Sequence, residues 1–481
     1  MSIVSVDRDL DKPVYLQIAD SIAAALAKKS LSPGAKMPGT RAFSRLFKIH
    51  RKTAVAVYEE LELLGAVEIL PNKGTFLSGH FKLNAKKNGT EILGFKSAPF
   101  SFKKSSLFDN PFEYSDCELA FNDGVPDVRL FNPRVIASYY SANLRKKLNR
   151  SKMGYYNSEG SEFFKFHFAN YLNATRGLNI SPDNLLITRS TEMTVFILAE
   201  LLLASGDTVV VANPGYFAVN MIFQKSGAKI QTIPADEDGI DVESLALYCQ
   251  RHIVRMVYVT SHNHYPTTVT LSAERRKRLL ELSEQYGFLI LEDDYDYDFL
   301  YENTGFLPLA SMPHGGNVIY IGSFGKTLAP GFRTGFAVSS PEFISEMKKY
   351  LGIIDKQGDI LTEQALGEMI REGEIERHLR KSLKVYRERR DFFDLKLKDL
   401  FGDTISYQKP SGGMAFWIAF NQNVNLLKIA ENCRKQGLFI PRMLLYQNKD
   451  LCAARLGFAH LENAECDKGL EILQQNISQL S

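Results

Sequence analysis

Residues 320–336 read YIGSFGKTLAPGFRTGF, an apolar strand that breaks into a loop holding one lysine (Lys326), one proline, three glycines and Arg333. Two readings are open on these residues alone. Gly-rich loops after buried strands commonly carry a solvated lysine, and a lysine fixed in a constrained turn is also how a reactive amine is presented. The other apolar runs end in equally polar stretches: Arg189 to Met193, Pro214 to Phe217, His262 to Tyr265 and Asp293 to Tyr295. Together these offer an amine, a carboxylate, several aromatic faces and the start of a helix.

These stretches must be positioned by the elements before them. From about residue 114 apolar segments (LLIT, TVVVA, RMVYVT, FLILE, NVIYIGS, GFAVSS) alternate with helical patterns such as STEMTVFILAELLLASG and SAERRKRLLELSEQYG. That is the pattern of an α/β domain with a largely parallel sheet, and such sheets bind ligands beyond the carboxyl ends of their strands. A metal does not suit the set. DYDYD lacks the calcium-loop glycine, replaced by Phe299, and the closing glutamate, replaced by Gly305. His262 and His264 have no companion ligands by spacing. The set suits an organic cofactor that takes a Schiff-base lysine, an aspartate facing a pyridinium nitrogen, a stacking ring and a helix N-terminus for a phosphate, namely pyridoxal 5'-phosphate.

SFGKTLAPGFRTG resembles the lysine loop of fold-type I aminotransferases. The resemblance implies that Lys326 forms the Schiff base and is the catalytic lysine, while Ser323 and Arg333 hold the phosphate. It further implies that Asp293 pairs with the ring nitrogen, Tyr295 with the ring's phenolic oxygen, and Tyr216 in NPGY stacks on the ring. Thr191 and Glu192 would supply backbone donors to the phosphate, and Arg455 in ARLGFAHL would grip an effector or substrate carboxylate. Two departures stand out. Where the family has Asn-Pro-x-Gly this chain has Tyr265, Pro266, Thr267 and Thr268, and Glu192 replaces a common glutamine.

The chain of 481 residues is long enough for two or three domains. Its formal net charge of +3 lies wholly in residues 1–79, with 11 basic and 8 acidic residues, and the remainder balances at 47 of each sign. Residues 28–58 carry eight basic residues and no acidic one, unlike a solvated helix face of mixed sign. Val14, Ile18, Ile22 and Leu26 predict a first helix. Thr40 is expected to cap a second, TRAFSRLF, with Phe43, Leu46 and Phe47 inward. RKTAVAVYEELELLG predicts a third with Ala54, Val57, Leu61 and Leu64 inward, and AVEIL and TFLS a hairpin joined by PNKG. That order is a winged helix-turn-helix, whose third helix enters a major groove.

PGAKMPGTRAFSRLFKIHRKTAVAVYEELELLGAVEILPNKGTFLS is similar to the DNA-binding domain of the GntR family of bacterial repressors. The likeness implies DNA contacts by Arg41, Arg51, Lys52, Thr53, Lys73 and Gly74. It departs at His50, where a small hydroxyl residue is usual. Residues 80–113 read as a linker with scattered phenylalanines able to dock on a domain surface.

Joining the two halves resembles the MocR subfamily of GntR-type regulators: a winged helix-turn-helix over 1–79, a linker over 80–113 and an aminotransferase-like effector domain over 114–481. This implies a homodimer that binds a double-stranded operator and senses an amine or amino acid through aldimine exchange at Lys326. The alternative is a working aminotransferase with an accessory DNA module. No run of about 18 apolar residues is present to span a bilayer; the longest approach, VFILAELLLASG, is broken by Glu200. An acidic N-terminus and five scattered cysteines lead to the expectation of a cytoplasmic protein with no metal and no membrane partner.

Overall fold

The computed structural model describes residues 12–70, 73–81, 100–109, 112–151, 154, 160–302, 306–420 and 424–480. The chain divides into two compact units, Met1–Lys104 and Ser105–Ser481. Residues 105–109, 112 and 113, within the stretch read as linker from sequence, fall in the second unit, where Phe112 meets Phe217 with ring centroids 6.1 Å apart. Most of the remaining linker lies outside the described residues.

In the first unit, α1 (Val14–Ala27), α2 (Thr40–Phe47) and α3 (Arg51–Leu63) precede the antiparallel hairpin β1 (Val67–Leu70) and β2 (Gly74–Leu77). Ile18, Ile22 and Leu26 recur every four residues along α1 and meet Phe43, Ala54, Val57, Leu61, Val67 and Leu77 in one core. Full burial of each larger side chain contributes about 1.5–3 kcal/mol, which is how three short helices hold together. Three local expectations are corrected. Gly39, not Thr40, is the N-cap of α2, and no side-chain bond caps it. Leu46 is 49% exposed, because the eight-residue helix turns only Phe43 fully inward. Leu64 is 42% exposed, since it follows the last turn of α3 and no longer shares its buried face. Part of the PNKG turn, Pro71 and Asn72, lies outside the described residues.

The second unit is built on a sheet of β3 (Leu185–Thr188), β4 (Thr208–Asn213), β5 (Lys229–Asp236), β6 (Gly239–Ile240), β7 (Met256–Val259), β8 (Leu289–Asp294), β9 (Val318–Ser323) and β10 (Gly335–Val338). Their spatial order is β3-β10-β9-β8-β7-β4-β5-β6. From β9 to β5 all neighbours are parallel, while β10 runs antiparallel to β9 and β3. Central strands such as Met256–Val259 are buried at every residue, as a sheet covered on both faces requires. One face packs Val195 and Leu198 of α4 (Thr191–Leu202); the other packs Leu245, Leu279 and Leu282. Two strands of this sheet were missed in sequence: KIQTIPAD, near the sheet edge and half polar, and Gly239–Ile240, only two residues long; the second unit's strands outside this sheet were not read either. A second, antiparallel sheet, β11 (Ile405–Tyr407), β12 (Ala415–Phe420), β13 (Leu445–Gln447) and β14 (Cys452–Gly457), follows in the order β11-β12-β14-β13 and carries Arg455. Among the described residues no helix is long and apolar enough to cross a membrane.

Candidate functional site

At the carboxyl ends of the parallel strands lies a cavity of about 330 Å³, within the size range of small-molecule sites. Lys326, Asp293, Tyr295, Tyr216, Ser323, Arg333, Thr191 and Glu192 all line it. Five loops far apart in sequence therefore converge because each follows a strand of one sheet, the rule on which the expectation rested.

Asp293 is the penultimate residue of β8 and is 3% exposed. Tyr258 on the neighbouring β7 donates to its Oδ2 at 2.8 Å, and Oδ1 has no hydrogen-bond partner. Burial pushes this carboxyl up to about 7; the Tyr258 bond and nearby Lys326 oppose the rise, and Glu192 and Asp296 add to it. A buried acceptor left open costs about 1–3 kcal/mol, so the cavity offers a place for a cationic N–H at Oδ1. Tyr258 was read in sequence only as part of an apolar strand; a tyrosine one strand away from the aspartate was its sole signal.

Burial lowers the Lys326 pKa, with Asp296 and Asp123 pulling the other way. Its Nζ sits 4.5 Å from the centre of the Tyr295 ring. The Tyr295 hydroxyl donates to the Asn263 carbonyl at 2.9 Å. Tyr216 precedes the helix Phe217–Lys225, and its ring meets Tyr265 edge-on at 4.8 Å. Tyr265 stands where the aminotransferase pattern has asparagine. Three residues on, Thr268 adopts φ 63° in the place of the usual glycine, a left-handed conformation costing about 1–2 kcal/mol.

Opposite, α4 begins. Ser190 Oγ accepts from Met193 N at 3.2 Å, which leaves the amides of Thr191 and Glu192 at the open, positive end of the helix. β10 can approach this end because Gly335 has no side chain: a Cβ there would lie 2.5 Å from the Ser190 carbonyl carbon. The Glu192 carboxylate lies 3.9 Å from the Arg333 guanidinium, with both side chains substantially exposed. An anion at the helix start would compete with it for Arg333, and exposed pairs of this kind hold weakly.

Arg455 departs most from expectation. It is 0% exposed, donates through Nε to Asp123 Oδ1 at 2.8 Å and through NH1 to the Pro266 carbonyl at 2.9 Å, and stacks over Tyr265 at 4.8 Å. It offers no surface to the cavity, whereas Asp123 lines it. Asp123, in FNDGVPD, carried no sequence signal.

In the first unit Arg51, Lys52 and Lys73 are exposed, as is Arg41, and Thr53 and Gly74 are half-buried. They are contributed by α2, the first turn of α3 and the hairpin. The departure at His50 has a local explanation: its Nδ1 accepts from Lys52 N at 3.3 Å and caps α3, the task a hydroxyl residue performs elsewhere.

A model described as aminotransferase class I and II matches residues 124–473, and one for bacterial regulatory proteins of the gntR family matches residues 14–77. The chain belongs to the aminotransferase class I and II family and joins to it a GntR-type winged helix-turn-helix. Together these make it a regulator of the MocR type. A probable rhizopine catabolism regulatory protein MocR of Rhizobium meliloti is 25% identical over 98% of this chain and 94% of its own length. The HTH-type transcriptional regulator TauR of Rhodobacter capsulatus is 26% identical over 85% of this chain and 84% of its own. Among solved structures, the kynurenine aminotransferase of Pyrococcus horikoshii superposes with a TM-score of 0.69 at 26% identity, over 76% of this chain and 91% of that one. Such relatives imply pyridoxal phosphate, and the open Asp293 Oδ1, the free helix start and the half-buried lysine in the cavity fit it.

Proposed function

We propose that this protein is a pyridoxal-phosphate-dependent transcription regulator whose larger unit senses a small amine or amino acid. Bound in the cavity, pyridoxal phosphate supplies an aldehyde carbon that combines reversibly with amines. Asp293 would keep the ring nitrogen protonated, Tyr216 would cover the ring, and the α4 start with Ser323 and Arg333 would hold the phosphate. Lys326, whose pKa burial lowers, would be the amine that a sensed molecule replaces. Arg41, Arg51, Lys52, Thr53, Lys73 and Gly74 would contact an operator, with two copies reading separated half-sites as a homodimer.

The observation that carries this reading is the pairing of a buried aspartate having one open oxygen with a half-buried lysine in one cavity, on a chain that also bears a basic winged helix. The test is to add pyridoxal phosphate to purified protein and to a Lys326→Ala variant. The wild type should gain a visible band that survives gel filtration and is lost on borohydride reduction, and the variant should not. An identical spectrum in both would overturn the role of Lys326. An enzymatic reading is favoured only by the family fold; sustained turnover of an amino donor with a keto acid, without any change in DNA binding, would support it.

A further inference from the structure

We infer that Asp123 is a specificity-determining residue that turns the cavity toward amines and against free carboxylates. The inference rests on the cofactor reading above. Arg455, the guanidinium from which carboxylate binding is expected, is sealed behind the cavity wall, with no exposed surface. Its Nε is taken by Asp123 at 2.8 Å, its NH1 by the Pro266 carbonyl at 2.9 Å, and its NH2 faces the Tyr295 hydroxyl at 3.5 Å. The Asp123 side chain is 29% exposed and borders the same cavity as Lys326.

A carboxylate entering here meets another carboxylate first, and reaches Arg455 only by displacing Asp123 from a charge-assisted bond. The two guanidinium groups that do line the cavity, Arg189 and Arg333, already face carboxylates. Arg189 donates to Asp355 at 2.7 Å and to the Gln357 carbonyl at 3.1 Å, and Arg333 faces Glu192. A molecule with a cation or a neutral hydrogen-bond donor away from its reacting amine gains from Asp123 instead. The class assigned is thus a primary amine or diamine without a free carboxylate. Discrimination by placing like charge in the path of the wrong ligand needs no new attractive contact.

The full chain, loaded with pyridoxal phosphate, is titrated with butylamine, 1,4-diaminobutane, 4-aminobutanoate and 2-aminobutanoate, and binding is followed by the visible band. Each affinity is referred to that of the same compound for pyridoxal phosphate free in solution, which removes differences in amine basicity. Wild type should favour both carboxylate-free amines over both carboxylates at least tenfold, and Asp123→Asn should narrow that gap about tenfold. Asp123→Ser serves if the asparagine variant does not fold. A loaded wild type that binds either carboxylate as tightly as the amines overturns the inference and leaves the cofactor reading standing. So does an unchanged ratio in the variants. A protein that takes up no pyridoxal phosphate overturns both.

Discussion

Asp293 is held in an unfavourable state by its surroundings, and that state has a pH signature. Its carboxyl is raised from 3.8 to about 7, chiefly by burial. A carboxyl raised on folding binds a proton more readily in the folded chain, so its contribution to stability is complete below about pH 4 and is lost as pH rises through about 7. The full extent is about 4 kcal/mol. Asp293→Asn removes the titration, so cofactor-free variant should gain in melting temperature over cofactor-free wild type as pH goes from 5 to 8. A constant difference between the two proteins over that interval would show that Asp293 is ionised at both ends. With pyridoxal phosphate bound the order should invert, because a ring N–H then pairs with Oδ1 and the asparagine cannot match the charge. The residue types needed for this chemistry were legible from the strand ends; Tyr258 and Asp123 were not, since one is indistinguishable from a core strand residue and the other precedes the recognisable elements.

Elements were legible where the period was strong and both flanks were punctuated. Ser272 and Gly287 bracket Ala273–Tyr286 as cap and left-handed stop, and the sequence pattern marks both ends. Lys229–Asp236 was not recognised because it has only one fully buried residue, Ile233, and so lacks the apolar run of its central neighbours. The capping of α3 by His50 could not be read from residue type, since histidine is not an expected N-cap. Its geometry makes a specific forecast. His50→Ala should lower the stability of the winged-helix unit by about 1 kcal/mol, while His50→Ser should preserve it. Thermal or urea unfolding of the three proteins decides this, and equal loss in alanine and serine variants would remove the cap.

At the scale of the whole molecule, a basic DNA-reading unit and a cofactor-binding unit occur in one chain, and each has its own expected variants. Arg51→Ala should weaken binding to a selected operator by about 1–3 kcal/mol with little effect on unrelated DNA. Lys73→Ala should weaken both alike and reduce the salt slope by about 1. Mobility shifts at two salt concentrations separate the cases, and no effect from either would place DNA elsewhere.

The central claim is that chemistry at Lys326 alters the hold on DNA, which requires a ligand with different affinity for two states of the protein. The most direct measurement is operator affinity of pyridoxal-phosphate-treated wild type and Lys326→Ala, with and without whichever compound of the amine series changes the wild-type visible band most. Wild type should change its operator affinity at least fivefold on addition of that compound, while Lys326→Ala should bind the operator as untreated wild type does and ignore the compound. Equal operator affinity of wild type with and without it, alongside steady transamination of the same compound, would contradict the claim.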